Sequence, residues 1–135
     1  MIDRAQTVAS AHELEPAAAV FHGLSDPRRL AILQHLAAGE HRVRDLTDHL
    51  GLAQSTVSAH LSCLRDCGLV ESRQEGRASM FSLSTTPQLL MLLAAAEDLL
   101  TATGHAVALC PNYGVGTASR PIPEQFQSHH ENKDR

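Results

Sequence analysis

The spacing of apolar residues divides the chain into four helical segments, a hairpin and a fifth helix. In each helical segment apolar side chains recur every three or four residues, which is the period of one helix face. Asp26 followed by Pro27 is a typical helix start, and glycines stand where the periodic runs end. The predicted helices cover 13–24, 27–38, 43–50, 54–67 and 88–103.

Two short segments before the last helix, 69–73 and 79–83, resemble strands. Between them lies Glu75-Gly76-Arg77, where the glycine can adopt the positive φ of a tight turn. The pattern therefore predicts a mainly α fold with a small β-hairpin.

Composition limits what this fold can be. The chain has 135 residues, is 43% hydrophobic and only 3% aromatic, so we expect one domain with an aliphatic core. We assign residues 1–12 to a flexible N-terminal segment, 13–103 to the folded domain and 104–135 to a partly disordered tail. No apolar run approaches the roughly 20 residues that span a bilayer, and no signal peptide is visible, so a cytoplasmic protein without a membrane partner is expected.

The charge distribution does not decide for or against a nucleic-acid partner. The net charge is −4, yet the stretch from Asp26 to Met80 has seven Arg and seven Asp or Glu. The flanking segments carry the whole excess, with four basic and eight acidic residues. A motif must therefore decide whether the chain binds DNA.

Residues 42–67 have the pattern of a helix-turn-helix: a short helix, a turn at Gly51-Leu52-Ala53 and a longer helix. Recognition helices present their first residues to bases and phosphates, and the hairpin that follows suits a wing. The alternative is that the polar residues only begin an ordinary helix and that the wing arginines are solvated charges. The predicted DNA-binding residues are Gln54, Ser55, Thr56, Ser58, His60, Arg73 and Arg77.

Four segments resemble the ArsR/SmtB family of metal-responsive repressors over roughly residues 15–103. The resemblance implies a winged helix-turn-helix homodimer that is joined through its first and last helices. It also implies binding to double-stranded operator DNA, and release of that DNA when an inducer binds. The segments that carry it are DPRRLAIL (26–33), QSTVSAHL (54–61), LRDCGLV (64–70) and EGR (75–77).

The three cysteines are candidate inducer ligands. An odd number of cysteines argues against a disulfide framework. Cys63 and Cys67 are one turn apart on the predicted recognition helix, about 6 Å between Cβ atoms, and lie off its apolar stripe. Buried cysteines that act as small apolar residues are the alternative. Thiolates select soft or borderline ions, and Cys110 in the tail can supply a third sulfur.

Within the family, the segment HLSCLRDCGL (60–69) resembles the cadmium- and lead-sensing CmtR branch. This resemblance implies a metal site made of Cys63, Cys67 and Cys110, the last from the C-terminal region of the other subunit. The inducer is then a divalent soft ion, cadmium or lead, with zinc as a further option. Two other family sites lack their ligands, because residues 42–45 carry no thiol and the last helix has no histidine before His105.

Other functions remain open at this point. The alternative within the same fold is a repressor whose thiols sense oxidants or persulfides instead of binding a metal. A winged helix that binds only proteins is a third class. No nucleophile–base pair, phosphate loop or paired carboxylates stand out, so neither an enzyme nor a protein substrate is predicted. His35, His41 and His49 are interpreted as surface residues.

Overall fold

A computed structural model describes residues 8–109. The five predicted helices and the hairpin are present, which confirms the mainly α class with a small β component. Cys110 and the N-terminal residues 1–7 lie outside the described residues. The elements are α1 (Glu15–Gly23), α2 (Pro27–Ala37), β1 (His41–Arg42), α3 (Val43–Leu50), α4 (Gln54–Asp66), β2 (Val70–Glu75), β3 (Ala78–Leu83) and α5 (Thr86–Ala102).

The chain divides into two compact units, with the boundary between Thr85 and Thr86. The first unit contains α1 to β3. The second begins with α5, in which Leu89 and Leu93 are buried while Met91 and Leu99 are exposed. No helix among residues 8–109 is both long enough and apolar enough to cross a bilayer.

The sheet has three antiparallel strands in the order β1-β3-β2. The predicted hairpin is β2 and β3, paired from Val70 with Leu83 to Glu75 with Ala78, and Gly76 in its turn has φ 64°. The sequence did not predict β1, which consists of two residues and pairs His41 with Phe81. Through this pairing, the extra strand connects the start of α3 to β3 of the hairpin.

One apolar face from each of α2, α3 and α4 builds the core of the first unit, and the hairpin closes it. The α4 contribution is Val57, Leu61 and Leu64, whose spacing leaves the opposite face of that helix to solvent. Gly51 ends α3 with φ 66°, so that the chain turns directly into α4. The other buried apolar residues are Ile32, Leu33, Leu36, Leu46, Leu69, Val70, Phe81 and Leu83.

The start of α2 confirms the predicted cap. The Asp26 carboxylate accepts hydrogen bonds from the N–H groups of Arg28 at 2.7 Å and Arg29 at 3.3 Å, and Pro27 is the first helical residue. Partial desolvation alone would raise the pKa of Asp26, but these two N–H donors and electrostatic interactions with His60 and Arg29 lower it overall. The ionised carboxylate is thus the form that the folded protein favours.

Replacing Asp26 by Ala removes the oxygen that accepts hydrogen bonds from both N–H groups, so we expect the free energy of unfolding to fall by about 1 kcal/mol. Urea denaturation measures this loss, and Asp26→Asn, which keeps an acceptor oxygen, is the control. The lowered pKa of Asp26 means that its contribution is complete above its usual pKa and is lost as the pH falls below about 4. Equal stability of Asp26→Ala and the parent would contradict the capping role.

Candidate DNA-binding surface and thiol site

The first turn of α4 carries the predicted base-contacting side chains. Gln54, Ser55 and Ser58 are exposed and Thr56 is half-buried. The N-cap residue, Ala53, has no side chain that can accept a hydrogen bond, and the first turn contains no acidic residue. No side chain therefore caps the first backbone N–H groups of α4 or offsets the positive end of its dipole. An anion such as a DNA phosphate can interact with both.

The two arginines of the wing, Arg73 and Arg77, differ in their hydrogen-bond and ionic partners. Arg73 on β2 donates from Nε and Nη2 to the Glu40 carboxylate, at 2.8 Å each, and from Nη2 to Glu75 at 2.9 Å. The hydrogen bond from Arg73 lowers the pKa of Glu40, and the same contact raises the pKa of Arg73. Arg77 is exposed in the turn, and its side chain has no hydrogen-bond or ionic partner within residues 8–109. Arg73 thus fixes the wing to the segment before β1, while Arg77 is available for a phosphate.

His60 is turned inward. Its Nδ1 lies 3.4 Å from Nη1 of Arg29, and its Nε2 is buried with no hydrogen-bond partner among the described residues. Neither ring nitrogen is available to DNA in this conformation. A direct base contact by His60, as the sequence predicts, would require the ring to rotate out of this position.

The partner of His60, Arg29, is a residue whose role the sequence analysis missed. Its side chain is only 9% exposed. Its Nε donates to the Gly23 carbonyl at 2.9 Å, and its Nη2 donates to the His22 carbonyl at 2.8 Å. Helical spacing indicates this burial, because position 29 lies on the same face of α2 as the buried positions 32, 33 and 36. Arg29 therefore joins the end of α1 to α2 and α4.

The two described thiols are free and half-buried. Cys63 lies within α4 and Cys67 caps its C-terminus, where Sγ donates to the Leu64 carbonyl at 3.3 Å. Burial raises the pKa of Cys67, and a nearby Cys63 raises it further, whereas the Leu69 N–H lowers it. The folded protein therefore favours the protonated thiol form of Cys67.

Cys67 also touches the end of α1. A Cβ added to Gly23 would lie 2.7 Å from the Cys67 sulfur, closer than real Cβ atoms come to such an atom. Gly23 thus contacts the thiol on one side, and its carbonyl oxygen accepts a hydrogen bond from Arg29 on the other. A change at the Cys67 sulfur is therefore adjacent to the contacts that hold α1, α2 and α4 together.

The described residues do not complete a metal site by themselves. No group of three or more His, Cys, Asp or Glu side chains between residues 8 and 109 is positioned to hold an ion together. The predicted third thiol, Cys110, lies outside the described residues. The two thiols on α4 offer two soft ligands, and any further ligand must come from elsewhere.

A helix-turn-helix followed by an antiparallel hairpin defines a winged helix-turn-helix protein. Residues 26–72, from α2 into β2, match the family model described as bacterial regulatory protein, arsR family. The matched segment includes Arg29, the start of α4 and both described cysteines.

Two relatives regulate transcription according to their names. The probable mercury resistance operon repressor of Streptomyces lividans is 37% identical over 90 residues, which are 67% of this chain and 71% of that protein. The HTH-type transcriptional regulator CmtR of Mycobacterium bovis is 49% identical over 61 residues, 45% of this chain and 52% of that protein. This chain therefore spans about half the length of CmtR.

A solved structure resembles the fold as well. The homodimeric winged helix-turn-helix DNA-binding domain Mb0332 of Mycobacterium bovis is 33% identical, with a TM-score of 0.61, and the match covers 73% of this chain and 91% of that domain. The chain belongs to the arsR family of bacterial regulatory proteins.

Gly23→Ala should strain the contact with Cys67, because the new methyl group would overlap the sulfur. We expect a loss of about 1–3 kcal/mol in the free energy of unfolding, typical of overpacking. The double variant Gly23→Ala/Cys67→Ala should recover most of this loss, because it removes the sulfur. Chemical denaturation of both single variants and the double variant measures the coupling free energy between the two residues. Additive changes in the free energy of unfolding would show that there is no steric contact between them.

Proposed function

We propose that this protein is a metal-responsive transcriptional repressor that binds operator DNA as a homodimer. In this proposal a thiophilic divalent ion, cadmium or lead first and zinc as a further option, induces release of the DNA. Its ligands are the thiolates of Cys63 and Cys67, with Cys110 as a third. The observation that carries the proposal is that both described thiols lie on α4, the helix that also presents Gln54 and its neighbours.

The DNA contacts are assigned from the exposed side chains of the helix-turn-helix and wing. Gln54, Ser55, Thr56 and Ser58 are short or amide side chains that hydrogen-bond to base edges and phosphates when α4 enters the major groove. Arg77 at the tip of the wing contacts the backbone. Arg73 contributes by holding the wing in place through Glu40.

Homodimer formation has support from exposed apolar residues on the first and last helices. Phe21 on α1 is 61% exposed, and Met91 and Leu99 on α5 are 73% and 66% exposed. Single exposed apolar residues are common on protein surfaces, so they favour an interface here only together with the assembly of a relative. The relative Mb0332 is a homodimer by its title, which favours the same assembly here.

The coupling between thiols and DNA follows from where Cys67 packs. A bound soft ion supplies a centre shared by the sulfurs. Cys63 and Cys67 must each lose a proton, and Cys67 must give up its bond to the Leu64 carbonyl and its close packing against Gly23. Such a change at the end of α4 alters how that helix sits against α1 and α2. A coupling free energy of about 1–3 kcal/mol gives roughly 5–150-fold weaker DNA binding.

A thiol-based sensor of oxidants or persulfides is the second candidate. Sensor cysteines of that kind have lowered pKa values, because the thiolate is the reactive form. Burial raises the pKa of Cys67 instead, which lowers the thiolate fraction that can attack an oxidant, whereas a soft ion can itself displace the thiol proton. DNA release by peroxide in the absence of metal would reverse this preference.

We expect wild-type protein to lose at least about fivefold in affinity for the DNA upstream of its own gene when cadmium saturates it. Cys63→Ser and Cys67→Ser should bind the same DNA as tightly as the wild type and keep that affinity with cadmium present. Fluorescence anisotropy measures both. Ser62→Ala, an exposed position on the same helix, is the matched control and should respond as the wild type does.

The same assay decides the role of the tail. Cys110→Ser should reduce the response to cadmium without changing DNA binding in its absence. Normal release from both helix variants, Cys63→Ser and Cys67→Ser, would remove the thiol pair from the mechanism. Absence of salt-dependent DNA binding by the wild type would instead favour a winged helix that binds proteins.

Because the pKa of Cys67 is raised, cadmium has to displace its proton near neutral pH. We expect the apparent affinity for cadmium to rise between about pH 6 and pH 8, by about tenfold per pH unit for each thiol proton released. Competition titration with a chromophoric chelator measures the slope. Cys67→Ser should lower the slope by about one proton, and a pH-independent affinity of the wild type would contradict thiolate binding.

A further inference from the structure

Three imidazole rings from separate elements meet on the surface of the first unit. His35 is on α2, His41 on β1 and His49 near the end of α3. Their ring centroids are 5.5 Å apart for His35 and His49, 5.8 Å for His41 and His49, and 6.3 Å for His35 and His41. The first two side chains are half-buried and His49 is exposed, so the cluster is open to solvent on one side.

Two of these rings have their tautomer fixed by the backbone. Nδ1 of His35 lies 2.9 Å from the Ala31 carbonyl oxygen, and Nδ1 of His41 lies 2.8 Å from the Gly39 carbonyl oxygen. A carbonyl oxygen only accepts hydrogen bonds, so in both contacts Nδ1 carries the proton. In the neutral rings Nε2 therefore keeps its lone pair. Histidines that bind metals are commonly held in this way, with the other ring nitrogen donating to a backbone carbonyl.

We propose that His35, His41 and His49 form a binding site for a borderline divalent cation such as zinc or nickel. The ligands are Nε2 of His35 and His41 and one ring nitrogen of His49. Imidazole ligands suit these ions, whereas the thiol pair on α4 suits softer ones. The site is made of different residues on different elements from the thiol pair, and it does not depend on the role proposed for the cysteines.

The ring spacing is close to what such a site needs. Three imidazoles bound tetrahedrally with Zn–N near 2.0–2.1 Å have ring centroids about 5.2 Å apart. The observed separations exceed this value by about 1 Å at most, for His35 and His41. As they stand, the described side chains do not converge on a common point, and His35 and His49 are stacked at 28°. Binding therefore requires the rings to turn toward one another, with solvent completing the coordination.

A cation in this place would tie together three elements of the DNA-binding unit. α2 and α3 pack against each other, and β1 leads directly into α3 and pairs with β3. An ion that binds this arrangement and not the unfolded chain stabilises the folded state in proportion to its occupancy. The expected consequence is a higher melting temperature with zinc or nickel, which does not require the thiols.

The test uses the full chain with all three cysteines replaced by Ser, so that zinc and nickel can bind only through other ligands. Isothermal titration calorimetry should give one ion per chain, and each metal should raise the melting temperature. His35→Gln, His41→Gln and His49→Gln should each weaken binding by about tenfold or more and reduce the thermal shift. The control variant His129→Gln/His130→Gln removes the adjacent histidines of the tail and should bind as the parent does.

A second measurement needs no substitution in the cluster. Long-range ¹H–¹⁵N spectra of the cysteine-free chain should show His35 and His41 protonated at Nδ1, and the Nε2 resonances of both rings should shift on addition of zinc. Binding that survives in the three cluster variants but disappears in the tail variant would overturn the proposal. The absence of any zinc-induced change at these Nε2 atoms would overturn it as well, even if a cluster variant failed to fold.

Discussion

The arrangement of the thiol site depends on the burial of one guanidinium, that of Arg29. A buried charge is unfavourable unless hydrogen bonds replace its hydration. Arg29 obtains them from the carbonyl oxygens of Gly23 and His22 at the C-terminal end of α1, where the helix dipole is negative. These bonds hold Gly23 in place, and Gly23 in turn contacts the Cys67 sulfur. The position of the Cys67 thiol on α4 therefore depends on the hydrogen bonds of the Arg29 guanidinium on α2.

Local signals in the sequence were sufficient for most of the fold. The Asp26-Pro27 start, the glycines at 51 and 76 and the apolar stripe of α4 act within a few residues, so they determine their elements without long-range information. Strand β1 has only two residues and is defined by its pairing with β3, so no local pattern reveals it. Arg29 lies on the buried face of α2, but a charged residue is normally expected at the surface. Its burial depends on hydrogen bonds to carbonyl groups six and seven residues earlier in the chain, which no local pattern shows.

The site was less predictable because its contacts join distant parts of the chain. Cys63 and Cys67 are neighbours by helical spacing alone, whereas the contact between Cys67 and Gly23 needs the packing of α1 against α4. The pairing of Arg73 with Glu40 spans 33 residues, so the sequence does not reveal that Arg73 holds the wing to the segment before β1, and its phosphate contact stays a prediction. His35, His41 and His49 come together only when α2, β1 and α3 have packed.

The electrostatics of the surface favour recognition by hydrogen bonds over attraction by net charge. The whole chain carries −4, and Arg73 is neutralised by Glu40 and Glu75, so bulk charge contributes little to attracting DNA. The local positive field comes from the uncapped start of α4 and from Arg77. In the proposed complex with DNA, both are close to the side chains assigned to the bases, so a small change in the direction of α4 would move the donors away from the bases and the dipole away from the phosphates. Burial raises the pKa of Cys67, so the neutral thiol is the favoured form at this end of α4, and in the proposed mechanism a bound ion has to displace its proton.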